Sequence, residues 1–419
     1  MKALVWLFYY FFYFPLLKLL FFLFSWHPKV RERVEFEKRN DLGPLSRSFS
    51  LNGERADLCF EFSSEGEYQQ AAPLIDDALI HGKKIELVFF SPSVEKTVLK
   101  LASLHPDHIR CLRFPLLSSN PWVKTRSFGH WVTSKNLILI RYDLFPELLL
   151  WSFKKDRHLK MIWVTFKKER SLGKNPSWWK IQFLKQAKEL IFAGPEDQDQ
   201  GKNLGFKGEV FDFRLEQIKR RVEKKAEKFL HHFFLYPEFK NWLKTHPKAV
   251  IFGNAWPSDL FLLEKIPEDF LVVLVPHNLS DEILSLFKKN LKTMGRAPFE
   301  VSEQTEKMTD TKTVLLNRKG ILCELYEDFD YAYVGGGFES SIHSVLEPLV
   351  AGSRQISCGP LHFRSTEFDM AKKTGRMTEI KNSEELMEWL MHPKDVEDRD
   401  KMNLLFHQYQ KMRESVISC

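Results

Sequence analysis

The chain has 419 residues, 44% of them apolar, with 37 Phe, 11 Trp and a formal net charge of +7. That apolar content supports two packed domains and argues against an intrinsically disordered chain, while the charge suits an anionic substrate or membrane surface and gives no reason to expect nucleic acid. The five cysteines, Cys59, Cys111, Cys323, Cys358 and Cys419, show no Cys-x-x-Cys spacing, so neither a zinc site nor a disulfide framework is expected.

Residues 3–26 are almost wholly apolar, interrupted by Pro15 and Lys18. The run is too long for a signal peptide, and no small-residue cleavage site follows it. Its length approaches the roughly 20 residues that span a bilayer. Lys29, Arg31, Arg33, Lys38 and Arg39 follow it, against Lys2 alone in front. If the segment spans, that asymmetry places the body of the chain in the cytoplasm. The alternative is an aromatic-rich segment lying in the membrane interface.

Residues 57–62 predict a strand, with Leu58, Phe60 and Phe62 on one face and Asp57, Cys59 and Glu61 on the other. Ser63 to Glu67 end it, and a helix is expected over 69–80. Strand-like runs recur at 84–90, 109–114, 137–140, 161–166 and 189–193, with helical patterns between several of them. That rhythm predicts a parallel, doubly wound sheet. Glu67 has two readings. At the carboxyl end of a parallel strand it faces the crevice where ligands bind and can act as a base. As a first-turn acid it can instead favour the helix dipole.

Residues 213–248 predict helices at a join between domains, with their charges on a solvated face. Strands are expected at 249–253 and 270–275. His277, just past the second, reads by itself as a loop histidine. Residues 328–332 predict the start of a short buried strand, and Gly335, Gly336 and Gly337 then sit where it turns towards a helix. Val345, Leu346, Leu349 and Val350 recur at helical spacing, with Ser340, Ser341 and Ser344 as candidate N-caps. Glycines there admit positive φ and let a ligand approach the backbone, and a helix start suits a phosphate. His343 and Glu347 would share one helical face, with Glu347 free to accept from a ribose. A glycine turn that merely closes a βα unit is the plainer alternative. A final helix is expected from about residue 387, packing back towards the first domain.

The stretch Ile342-His343-Ser344-Val345-Leu346-Glu347-Pro348, after Val334-Gly335-Gly336, resembles the nucleotide-sugar site of the 3-deoxy-manno-octulosonic acid (Kdo) transferases of lipopolysaccharide synthesis. Members carry Val-Gly-Gly and then Gly-His-Asn-x-Leu-Glu-Pro; here Ile342 stands for the Gly and Ser344 for the Asn. Ser64-x-Gly66-Glu67 resembles the family's Ser-x-Gly-Glu, whose Glu is the general base. Phe114-Pro115-Leu116, Asn254 to Asp259, Pro276-His277-Asn278, Leu316 to Leu322 and Gly359 to Phe363 also fall in family order. Two positions depart from it. Arg141 stands where a Glu is expected, and Phe211 where a Lys is expected, so Arg141 is a candidate for the missing cation.

The resemblance implies an α/β fold of two Rossmann-like domains facing a cleft, the GT-B arrangement, with an N-terminal membrane anchor helix. The implied divisions are 1–26 anchor, 27–207 acceptor domain, 208–248 helical join, 249–395 CMP-sugar domain and 396–419 C-terminal helix. It implies transfer of Kdo from CMP-Kdo to a lipid A precursor at a membrane surface, without metal or cofactor. Glu67 and Arg141 would be catalytic. Pro276, His277, Lys319, Gly320, Ile321, Gly336, Gly337, Ser344, Val345, Leu346 and Glu347 would bind CMP. A relative that binds a nucleotide sugar or anionic lipid without catalysis, or uses another donor, is the alternative.

Overall fold

The computed structural model describes residues 2–39, 43–116, 128–141, 144–167, 172–309, 311–363, 365–393 and 399–418. The chain divides into two compact units, Met1–Arg214 with Gln408–Cys419, and Leu215–His407. Each is an α/β unit around one parallel sheet.

The first sheet holds β1 (Leu58–Phe62), β2 (Ile85–Phe89), β3 (Ile109–Arg113), β4 (Asn136–Ile140), β5 (His158–Val164), β6 (Ala187–Phe192) and β7 (Glu209–Val210). Its order is β3-β2-β1-β4-β5-β6-β7, parallel throughout. Every residue of β1 is buried. The faces divide as expected, with Leu58, Phe60 and Phe62 in one core cluster and Cys59 in another, and Glu61 is as enclosed as they are. A parallel sheet is covered on both faces by its crossover helices, so neither face needs to be polar.

The second sheet holds β8 (Ala249–Ala255), β9 (Leu271–Pro276), β10 (Phe299–Val301), β11 (Thr313–Leu316), β12 (Tyr331–Val334), β13 (Gln355–Cys358) and β14 (Met377–Glu379). Its order is β10-β11-β9-β8-β12-β13-β14, again parallel. In both sheets the first strand lies between later strands that run off in opposite directions, β2 and β4 around β1, β9 and β12 around β8. Such reversals open a crevice beyond the carboxyl ends of the strands.

The helices Lys225–His232 and Tyr236–Lys244 pack on the second sheet, where Phe229, Phe233 and Phe239 join Val273 and Val314 in one cluster. Their charges are not all solvated, as the sequence suggested. Buried Lys225 donates to Asp328 at 2.7 Å and to Glu327 at 3.0 Å. The single C-terminal helix expected from residue 387 is also corrected. The helix Ser383–Met391 buries Leu386, Trp389 and Leu390 in the second unit. A separate helix, Arg399–Ile417, returns to the first unit, where Tyr409, Met412, Val416 and Ile417 join its core. Lys160 on β5 donates to the carbonyls of Val416 at 2.9 Å and Ser418 at 3.3 Å, a cation on the last carbonyls of that helix.

The segment Lys2–Leu23 is one helix, long and apolar enough to cross a membrane. It is not free-standing. Val5 is buried in the first unit's core with Phe114, Leu148 and Trp151, and Leu17 and Phe21 pack against the same cluster. The other side, including Leu4, Phe11, Phe12, Phe22 and Trp26, is exposed. The basic run behind it is partly consumed inside the fold. Buried Arg33 donates to Glu37 at 2.7 Å, and Arg31 to Glu35 at 3.1 Å.

Deleting residues 1–26 is therefore expected to destabilise the first unit. It removes the buried side chains of Val5, Tyr9 and Phe14, each worth about 1.5–3 kcal/mol when fully enclosed. A lower melting temperature for the truncated form checks this; an unchanged one would show that the helix does not dock.

Candidate functional site

The turn after β12 meets the loop after β8 at the reversal of the second sheet. Buried Asp259 joins them. Its Oδ2 accepts from the backbone N–H of Trp256 at 2.8 Å and Gly336 at 3.3 Å, and its Oδ1 accepts from the Tyr333 hydroxyl at 2.8 Å. Burial pushes the Asp259 carboxyl up, against those three hydrogen bonds. Asn254, just before, has φ 51°, at a register irregularity between Gly253 and Ala255. A bulge of this kind re-aims the residues beyond it.

Trp256 comes directly after this bulge and forms one wall of a cavity of about 550 Å³ that also takes His277, Asn278, Ser280 and Lys319. The Trp256 and His277 rings stack at 5.0 Å and 9°, and His343 lies 4.3 Å from His277. The Trp256 indole N–H donates to His343 Nε2 at 3.4 Å. That bond needs a neutral imidazole. Burial, with His277 alongside, pushes His343 down to about 4, which keeps it neutral at ordinary pH. Pro276 ends β9, and His277 and Lys319 follow β9 and β11, at the same end of the sheet as Gly336.

The glycine turn is shaped differently from the sequence expectation. Gly336 has φ 93°, and a Cβ there would meet Ser341 O at 2.5 Å; one on Gly337 would meet the Gly359 backbone at 2.6 Å. The glycines are required by the protein's own close packing. The helix beyond is Leu346–Ala351, six residues long, capped by Val345 without a side-chain bond. Ser340, Ser341 and Ser344 are not its caps, and His343 precedes it, so His343 and Glu347 share no helical face. Ser344 instead donates to Glu367 at 2.8 Å. A helix this short also offers little dipole to a phosphate.

Ile321, Val345 and Leu346 have fully buried side chains, so only their backbone can meet a ligand. Glu347 is engaged by Arg221 at 3.4 Å, which also donates to Glu324 at 3.1 Å. Burial pushes the Glu347 carboxyl up, against the pull of Arg221. Lys228 donates to Glu324 at 2.6 Å and to the Gly320 carbonyl, so Gly320 and Glu347 belong to one charged cluster.

In the first unit, Glu67 lies in the first turn of the helix Glu65–Ile80. Its Oε2 accepts from the N–H of Ser63 at 2.6 Å and Ser64 at 3.2 Å, within a capping box. One turn on, buried Gln70 donates to Asp212 at 2.7 Å and accepts from the Phe213 N–H at 2.9 Å. Asp212 accepts from Arg214 at 2.9 and 2.5 Å. The Arg214 guanidinium lies 4.5 Å from the Trp163 ring, and that of Arg141 lies 4.3 Å from the same ring. Arg141 (φ 75°) and Trp163 (φ 60°) both hold left-handed backbone, at the carboxyl ends of β4 and β5. Such strain in non-glycine residues concentrates at functional sites. Phe211, where the family has Lys, is buried against Phe213 with ring centres 4.9 Å apart.

Sequence reasoning missed Trp256 and Asp259 as a unit, and Gln70, Asp212, Arg214 and Trp163 altogether. The run Trp256-Pro257-Ser258-Asp259 did carry a signal, an acid three residues after the position that follows a strand, as in a capping box.

The His343 assignment has a pH signature. The unfolded imidazole takes its proton near 6.5, the folded one only near 4. Its contribution to stability is therefore complete above pH 6.5 and is lost as pH falls towards 4. His343→Gln keeps an acceptor for Trp256 but does not titrate. Denaturant unfolding should give a wild-type-minus-variant difference that is flat above pH 6.5 and declines below it. A difference independent of pH would contradict a buried neutral imidazole.

No family model matches the chain. It is 25% identical over 347 residues to the 3-deoxy-D-manno-octulosonic acid transferase of Aquifex aeolicus, covering 81% of this chain and 86% of that one. A glycosyltransferase from Rickettsia africae matches its structure with a TM-score of 0.53 at 10% identity, over 87% of this chain and 99% of that chain. The UDP-GlcNAc 2-epimerase of Methanocaldococcus jannaschii matches with a TM-score of 0.50 at 10% identity, over 85% and 99%. The two structures bear on the fold alone, which is that of the GT-B glycosyltransferases and epimerases. The resemblance read from the motifs stands: the chain is similar, distantly and over most of its length, to a Kdo transferase.

Proposed function

We propose that the protein is a glycosyltransferase that moves Kdo from CMP-Kdo to a lipid A precursor, at the cytoplasmic face of an inner membrane. One observation carries this reading. The two motifs that resemble the family, at Ser64 to Glu67 and at Gly335 to Glu347, follow β1 and β12, strands at the reversal of each sheet. Ligands of open parallel sheets bind at those points.

In this mechanism the second unit holds the donor. Trp256 and His277 supply an aromatic wall, and Lys319 a cation beside the phosphate. Arg221 holds Glu347 in place for the ribose hydroxyls. Glu67 takes the proton of the acceptor hydroxyl. The hydroxyl oxygen bonds to the anomeric carbon of Kdo, and the bond from that carbon to the phosphate oxygen breaks, with the electron pair leaving on CMP. The cation of Lys319 offsets the charge that grows on the phosphate. Arg141, stacked on Trp163, stands in for the lysine that Phe211 replaces. The apolar face of the Lys2–Leu23 helix lies in the membrane interface and holds the body beside its lipid acceptor.

The capping box around Glu67 favours a second reading. There Glu67 only starts a helix, and the protein binds a nucleotide sugar without transferring it. Glu67→Gln separates the two, because Gln serves equally in a capping box but cannot take the proton. Catalysis predicts an unchanged melting temperature and a single-turnover rate lower by about 10²–10⁴. Full activity in this variant would remove the base assignment. Lys319→Ala should weaken CMP binding by about 10-fold or more in calorimetry, the scale of one charged hydrogen bond at about 1.5–3 kcal/mol. Unchanged affinity would displace the donor site from this cavity.

A further inference from the structure

A second cavity, of about 900 Å³, lies in the first unit against the N-terminal helix. Leu4, Leu7, Phe8 and Phe12 form one wall, and Phe145 and Trp178 belong to the other. The far wall is fixed by the core. Phe145 stacks on Phe114 at 4.5 Å, and the neighbouring Trp179 donates its indole N–H to Leu144 O at 3.1 Å. Trp179 also meets Phe8 at 6.0 Å, closing the groove at one side. The volume is within the usual range of ligand pockets, about 300–1,000 Å³.

We propose that this groove holds one acyl chain of the lipid acceptor. It is built almost wholly from hydrocarbon and indole. Its polar side chains are those of Tyr13, Ser177 and Lys180, and none of its lining residues belongs to a strand whose edge could pair with a peptide. Its mouth opens beside an exposed apolar helix face on which Leu4 is 60% and Phe12 is 69% exposed. A patch of that kind needs a cover, and a bilayer covers it over the whole helix. The molecule that enters a crevice open to a bilayer is a lipid chain. Lys180 in the lining matches the negative charge at such a lipid's headgroup. The groove then selects acceptors by their acyl chains.

The proposal rests on the acceptor being a lipid, and the test keeps the two claims apart. Leu4→Trp and Leu7→Trp fill the groove from exposed positions and keep an apolar helix face. With the full chain, both should raise KM for an acylated lipid A precursor at least 10-fold, with kcat within about two-fold. The same precursor stripped of all its acyl chains should be unaffected, and flotation with anionic vesicles should be unchanged. Equal effects on both acceptors, or none, would overturn the groove while leaving the transferase standing. Where wild type transfers to neither acceptor, the function proposed above fails, and binding alone decides the groove. In native mass spectrometry, wild type should then retain one lysophosphatidic acid, about 3–4-fold more tightly per added methylene from 10 to 14 carbons. Both variants should lose it. Equal retention by the variants, a loss that tracks vesicle flotation, or dimers in place of bound lipid would overturn the proposal.

Discussion

The candidate site of the second unit depends on one buried carboxylate. Asp259 accepts hydrogen bonds from Trp256, Tyr333 and Gly336, and those residues belong to the two segments that part at the reversal of the second sheet. An enclosed carboxylate is tolerated only when its oxygens are matched, and here three donors do so. The consequence is local rigidity. With the Trp256 and Gly336 backbones tied to one group, the indole is set against His277 and His343, and the cavity wall is formed before any ligand arrives.

The first unit reaches a similar end with a longer relay. Gln70 reads both Asp212 and the Phe213 backbone, Asp212 fixes Arg214, and Arg214 and Arg141 share Trp163. Strained backbone at Arg141 and Trp163 is held in place by this packing. Both catalytic candidates thus sit beside structures that over-determine them: Glu67 beside a cap, Arg141 beside a shared indole. A structural task and a chemical one are compatible in such residues, because a catalytic group must first be held still.

Much of this architecture was legible in the sequence. Apolar runs bounded by turn residues located β1, β2, β3, β8 and β9 to within two residues, since their short length and flanking turn residues separate buried strands from buried helices. The glycine turn and the Ser64 to Glu67 turn were found as motifs. Their reasons were only partly legible. The glycines answer to Ser341 and Gly359, contacts that no local pattern encodes. The helix after the turn starts later than its serines suggested, because residues 338–345 are spent on the turn itself. Asp212 and Gln70 meet across 142 positions of sequence, and Tyr409 reaches Asp77 across 332, so no spacing could reveal either pair. The basic run after the apolar segment was visible, but the burial of Arg33 against Glu37 was not, because spacing alone does not distinguish a buried pair from the exposed Arg31–Glu35 pair beside it.

The sugar transfer proposed for the turns at Ser64 to Glu67 and at Gly335 to Glu347 leaves a product that can be weighed. The most direct measurement incubates the purified full-length protein with CMP-Kdo and a lipid A precursor, and follows the acceptor by mass alongside released CMP. The account predicts an acceptor heavier by one or more Kdo residues, with one CMP released for each. CMP-Kdo that binds but yields no heavier acceptor and no CMP would contradict it.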